Sequence, residues 1–289
     1  MNKQELLQHL VSLAKRTNNE TISTLDKRKL KELEFHNKDR NRSLTENLPK
    51  DIYKKLHGNK KFYNTVRLSR NYTECWIENN CKGKIFLDYA CGNGLNAIKA
   101  AKAGAELAIG LDISDISIKN AREAAKLEGV ENNTFFFLGD CENTKLPNNC
   151  IDVIVCSGML HHLDLSYAFC ELRRIVKHEG VILVIEALDY NPVIKFYRKM
   201  TPQMRTDWER KNILSYKDID FAKKFFDVKN IKHWHLFCIA GVYMPFASPL
   251  FNAIDSFVLK LPLIKMMSWM FSFELHKSRL WHFLCIQGA

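Results

Sequence analysis

Glycine and proline are sparse, 12 and 7 in 289 residues, which excludes collagen-like and low-complexity classes. None of the nine cysteines forms a C-x-x-C pair, so the spacing offers neither a disulfide framework nor a zinc module, and no metal is expected. The odd count favours a reducing compartment, and a cytoplasmic location is the expectation. Residues 1–15 carry a charge every few positions and no continuous apolar run, so neither a signal peptide nor an anchor is expected there. Internal repeats are absent. The longest charge-free stretch, residues 236–254, is interrupted by Gly241, Pro245, Pro249 and Asn252, which argues against a spanning helix.

What the chain does have is apolar content, 46% of residues, enough for a full-sized core in one large domain with an extension. Its net charge of +11 is unevenly placed: +7 over residues 1–80, −4 over 81–190 and +8 over 191–289. An acidic centre between basic flanks suits a core for a cationic or neutral ligand, with flanks that favour anionic partners or merely solubilise the protein.

Residues 1–80 read as a polar, helical N-terminal cap, with Leu6, Leu7, Leu10 and Leu13 at helical spacing. From residue 81 the texture changes. Five short, nearly continuous apolar runs (85–87, 107–113, 134–138, 151–156 and 181–185) alternate with helix-like stretches at 96–104, 114–128 and 164–177. Such runs are strands buried on both faces, and the alternation predicts a Rossmann-like, doubly wound α/β sheet. A polar-aromatic insertion follows at about 189–215, then a helix at 217–226 and a strand at 228–240. Short helices at 241–278 form a second insertion, and 280–286 reads as the seventh and last strand.

The sharpest signal is Leu87-Asp88-Tyr89-Ala90-Cys91-Gly92-Asn93-Gly94 between a strand and a helix. Gly92 and Gly94 allow backbone amides to approach a ligand where a side chain would collide. Alone this is ambiguous, because Gly92-x-Gly94-x-x-Ala97 with Asp112 also fits a dinucleotide fingerprint and so a nicotinamide-dependent oxidoreductase. Asp88, at the end of the first strand, suits a ligand with a positively charged amino group. Asp140, after the third strand, can accept from an exocyclic adenine amine. Ser157-Gly158-Met159-Leu160-His161-His162 follows the fourth strand. All sit on the rim where open α/β sheets bind ligands.

In these motifs the sequence resembles the class I S-adenosylmethionine-dependent methyltransferases, most nearly the small-molecule branch typified by quinone-biosynthesis enzymes. Ala90 stands where that family's motif has its first glycine. The resemblance implies S-adenosylmethionine as cofactor, held by Asp88, Ala90, Gly92, Gly94, Asp112, Ile113, Asp140, Cys141 and Ser157. Within it Asp112 would bind the ribose hydroxyls, Asp140 the adenine amine, and Cys141 would offer its backbone amide. A hydroxyl or carbon acceptor must also lose a proton, for which a histidine has a suitable pKa; His162 is the first candidate and His161 the second. His36 and Asp39 read as a surface helix pair.

The acceptor pocket is expected to draw on the insertions, through Tyr190, Tyr197, Trp208 and Phe257. Leu250, Phe251, Ile254, Phe257, Val258 and Leu261 form one helical stripe, read as a lid or as core. An apolar or lipid-linked small molecule follows as the acceptor, with a peripheral membrane contact through Lys260 and Lys265 at the stripe's polar edge. Nucleic acid is not expected as a partner. Amino-methylating nucleic-acid enzymes of this kind carry an Asn/Asp-Pro-Pro-aromatic motif where this chain has Cys156-Ser157-Gly158-Met159. A non-catalytic, membrane-recruited binding protein on the same fold is the remaining alternative.

Overall fold

The structure, a computed structural model, describes residues 2–15 and 18–277. Seven strands form one sheet: β1 (Ile85–Tyr89), β2 (Leu107–Asp112), β3 (Thr134–Leu138), β4 (Ile151–Ser157), β5 (Val176–Ala187), β6 (Phe226–Trp234) and β7 (Met270–Lys277). Their order is β3-β2-β1-β4-β5-β7-β6, with β7 antiparallel to both neighbours and the first five strands parallel. Every residue of β1 and β2 is buried, as expected of strands covered by helices on both faces. The order reverses direction between β1 and β4. That switch point, where crossover helices leave in opposite directions, is where open sheets form a ligand crevice.

The N-terminal helices do more than cover the sheet. Leu6 and Leu10 of the helix Lys3–Ala14 are fully buried in one core cluster with Phe137 and Leu146. The helix Lys27–Arg40, capped by the Asp26 side chain, crosses the rim of the sheet and buries Glu32 and Leu33. The polar-aromatic insertion at 189–215 contains a helix at Pro192–Met200. Its start is encoded locally: Asn191 Oδ1 accepts from the amides of Val193 and Ile194, and Pro192 occupies the first turn.

Two boundaries differ from the sequence reading at the chain's end. The strand predicted at 228–240 stops at Trp234, because Asp255 Oδ1 and Oδ2 accept from the amides of Leu236, Phe237 and Cys238 and fold that backbone away from the sheet. The last described strand is Met270–Lys277, inside the region read as helical; the predicted strand at 280–286 lies outside the described residues. The overlooked signal is period-2 alternation: Phe271, Phe273 and Leu275 face one side and are fully buried. Glu274 on the other face accepts from Trp76 Nε1 at 2.9 Å and Asn230 Nδ2 at 2.7 Å.

The stripe at 250–261 is helical over Ser248–Val258, but Leu250 and Phe257 are 61% and 70% exposed, and Asp255 is the buried anchor of that helix. Among the described residues no helix is long and apolar enough to cross a membrane.

Candidate active site

The glycine-rich turn leaves β1 at Ala90, whose φ of +58° lies in the left-handed region. The single departure from the family's glycine pattern therefore falls where glycine is favoured, and alanine there carries strain of about 1–2 kcal/mol. Ala90→Gly is expected to raise unfolding stability by up to about 1 kcal/mol, after the greater freedom of an unfolded glycine is deducted. Urea denaturation measures it, and an equal or lower midpoint contradicts the strain.

Asp112, at the end of β2, holds the turn in shape. Its Oδ2 accepts from the Gly92 amide and its Oδ1 from the Ser114 amide, both at 2.8 Å. Asp88 is buried and turned toward the following helix, accepting from Asn96 Nδ2 and the Ala97 amide at 3.2 Å each. Burial pushes its carboxyl up to about 7.

Six of the predicted cofactor residues, Ala90, Asp112, Ile113, Asp140, Cys141 and Ser157, meet around one cavity of about 100 Å³. Asp88, Gly92 and Gly94 shape the turn beside it without lining it. The far wall comes from the helix Lys27–Arg40, which the sequence did not place here. Lys29 Nζ lies 2.6 Å from Asp140 Oδ2 and 2.9 Å from Glu142 Oε2, while Asp140 Oδ1 accepts from the Glu142 amide. Both oxygens of Asp140 are thus engaged within the chain.

A second cavity of about 680 Å³ adjoins the first, sharing Ser157, Gly158, His36, Arg40 and His162 as walls. Tyr63, Val66, Met204 and Trp269 supply much of its apolar surface. Of the residues predicted to bind the acceptor, none lines this cavity. The Tyr190 hydroxyl accepts from the Tyr216 amide. Tyr197 packs edge-on against Phe62, Trp208 lies under the Arg28 guanidinium, and Phe257 faces outward. His36 and Asp39, read as a surface pair, are half-buried in its wall; Asp39 Oδ1 pairs with His57 and Lys60.

The two adjacent histidines have different partners. His161 Nδ1 donates to Glu186 Oε2 at 2.6 Å, and Glu186, fully buried at the end of β5, also accepts from the amides of Met159 and Leu160. Burial disfavours the His161 cation, but the Glu186 carboxylate outweighs it and raises the pKa above the ordinary histidine value. His162 Nδ1 donates to Glu32 Oε2 at 2.9 Å. Burial and the neighbouring His161 hold its pKa below the ordinary value despite Glu32. Glu186 was legible in principle, as the acid that ends the apolar run Val181-Ile182-Leu183-Val184-Ile185.

Residues 87–184 match the family described as "Methyltransferase domain". The chain carries a methyltransferase domain. It is 33% identical over 115 residues to a ribosomal protein L11 methyltransferase of Photobacterium profundum, covering 39% of this chain and 37% of that one. Over 101 residues it is 37% identical to protein arginine N-methyltransferase 1 of Saccharomyces cerevisiae, covering 34% and 28%. The chain thus spans only about a third of the length of these curated relatives. A geranyl diphosphate C-methyltransferase from Streptomyces coelicolor, solved with Mg²⁺, geranyl diphosphate and S-adenosyl-L-homocysteine, superposes with a TM-score of 0.58 at 13% identity, covering 88% of this chain and 99% of that one. The methyltransferase domain thus sits in the fold of S-adenosylmethionine-dependent methyltransferases, and its glycine turn lies at the switch point of the sheet.

Proposed function

We propose that the protein transfers a methyl group from S-adenosylmethionine to a small, partly hydrophobic acceptor held in the 680 Å³ cavity. The observation that carries this reading is the carboxylate-held His161 in a cavity that shares a wall with the chamber lined by Ala90 and Asp112. The lower-level resemblance to quinone-biosynthesis enzymes and a lipid-linked acceptor rest on the motif and on the apolar walls at Tyr63, Met204 and Trp269.

Methyl transfer from a sulfonium is an in-line displacement. The acceptor atom attacks the methyl carbon, the carbon–sulfur bond breaks, and sulfur keeps the electron pair. The chain's work is to align the two reactants and exclude water, worth roughly 7–11 kcal/mol where geometry is ideal. With Nδ1 donating to Glu186, His161 keeps Nε2 as the basic atom to take the acceptor's proton. The imidazolium that forms is stabilised by the buried carboxylate. His161 therefore takes precedence over His162 as the base.

Calorimetry tests the cofactor. S-adenosylmethionine is expected to bind and NAD to give no heat, and Asp112→Ala should weaken the former by about 1.5–3 kcal/mol through loss of a charged acceptor for the ribose hydroxyls. Since Asp112 also holds the Gly92 and Ser114 amides, its melting temperature is measured in parallel. Micromolar NAD binding without S-adenosylmethionine binding would hand the site to the oxidoreductase reading. Cofactor binding without methyl transfer to any apolar acceptor favours the non-catalytic one.

A further inference from the structure

Glu32 and His36 are one turn apart on the helix Lys27–Arg40, so both side chains point to the same side. His162 comes from the rim after β4 and meets them there. Its ring and that of His36 stand edge to face with centroids 4.8 Å apart. Potential ligand atoms of all three side chains lie within 4.8 Å of one another. Glu32 Oε2 faces both imidazoles, at 2.9 Å from His162 Nδ1 and 3.8 Å from His36 Nε2. Its other oxygen, Oε1, accepts from the Thr206 hydroxyl. That outer bond fixes the carboxylate and leaves Oε2 aimed between the rings, the kind of support metal-binding carboxylates receive.

We propose that Glu32, His36 and His162 form a divalent transition-metal site, of the kind filled by Zn²⁺ or Fe²⁺, which bridges the N-terminal helix and the sheet rim at the wall shared by the two cavities. Two imidazoles and one carboxylate are a recognised donor set for such ions, with further coordination positions left open. The proton on His162 Nδ1 moves to Nε2 when a metal takes its place, so binding releases no net proton from that ring. Both histidines line the larger cavity, so the proposed site lies in the wall of the chamber assigned to the acceptor.

A second cluster, His235, Cys238 and Asp255, is also compact and buried. There, however, both carboxylate oxygens of Asp255 are taken by backbone amides. That cluster therefore serves as the control.

The full chain, stripped with a chelator and dialysed, is titrated with Zn²⁺ by calorimetry and with Co²⁺ by visible absorption. One ion per chain is expected, with Zn²⁺ displacing Co²⁺. His36→Ala and His162→Ala should each weaken uptake by about 100-fold, Thr206→Val by about 10-fold, and Cys238→Ser not at all. Circular dichroism checks folding; if an alanine variant fails to fold, His36→Gln decides in its place. Absence of saturable uptake by the folded wild type, uptake indifferent to His36, or loss confined to Cys238→Ser overturns the proposal. Because the readout is metal uptake, it stands or falls separately from methyl transfer.

Discussion

His161→Ala is expected to lower the rate of methyl transfer to a hydroxyl or acidic carbon by about 10²–10⁴-fold while leaving cofactor affinity unchanged. The base must be neutral to accept a proton, and Glu186 raises its pKa. The catalytic efficiency should therefore rise with pH through a value above the ordinary histidine pKa and level off beyond it. Glu186→Gln removes the charge that stabilises the imidazolium, so the same limb should move to lower pH. The sign for stability is the reverse. The His161–Glu186 pair contributes most below the unfolded histidine pKa, and its contribution is lost as pH rises through the folded one. A rate drop below threefold in His161→Ala at saturating acceptor, with no change in the pH limb, would leave alignment alone as the mechanism.

Gly94→Val should be the most damaging single change in the glycine-rich turn, lowering unfolding stability by about 3 kcal/mol or more and, on the proposed function, abolishing S-adenosylmethionine binding. Gly94 has φ +79°, and a β-carbon there would stand 2.7 Å from the Phe136 ring and 2.9 Å from the Ala121 methyl. Neither neighbour can retreat, since both are packed in the core between sheet and helix. Gly92 is different. Its added β-carbon would meet the Arg40 guanidinium at 2.3 Å, the free end of a flexible side chain. Gly92→Ala should therefore show mainly the left-handed backbone penalty, about 1–2 kcal/mol. Guanidinium unfolding of the two variants separates the cases, and equal losses would refute the distinction.

The fold was legible wherever a local pattern reported burial directly. The five apolar runs became β1 to β5, because a parallel strand covered on both faces needs apolar residues at every position. The C-terminal strands were harder. β7 alternates Phe271, Phe273 and Leu275 with Ser272 and Glu274, and those polar residues are buried too. Glu274 is tolerated because Trp76 and Asn230, 198 and 44 residues away in sequence, donate to it. Such long-range pairing leaves no trace in a local window. The site divides in the same way. The residues predicted to hold the cofactor follow from strand ends on the rim, whereas the walls at Tyr63, Met204 and Trp269 depend on how three distant segments come together. Glu32 and His36 did carry a local signal, their one-turn spacing, but only their meeting with His162 gives it chemical meaning.

The helix Lys27–Arg40 contributes Lys29 to the smaller cavity and Asp39 to the larger, and His36 and Arg40 to both. Ligands in the two chambers would therefore touch the same helix, which gives any coupling between them a shared element to act through. Whatever factor the methyl donor imposes on acceptor affinity, the acceptor must impose on the donor. Substitutions at His36 or Arg40, the two side chains of this helix that line both chambers, are therefore to be measured as a two-ligand cycle rather than as a single affinity.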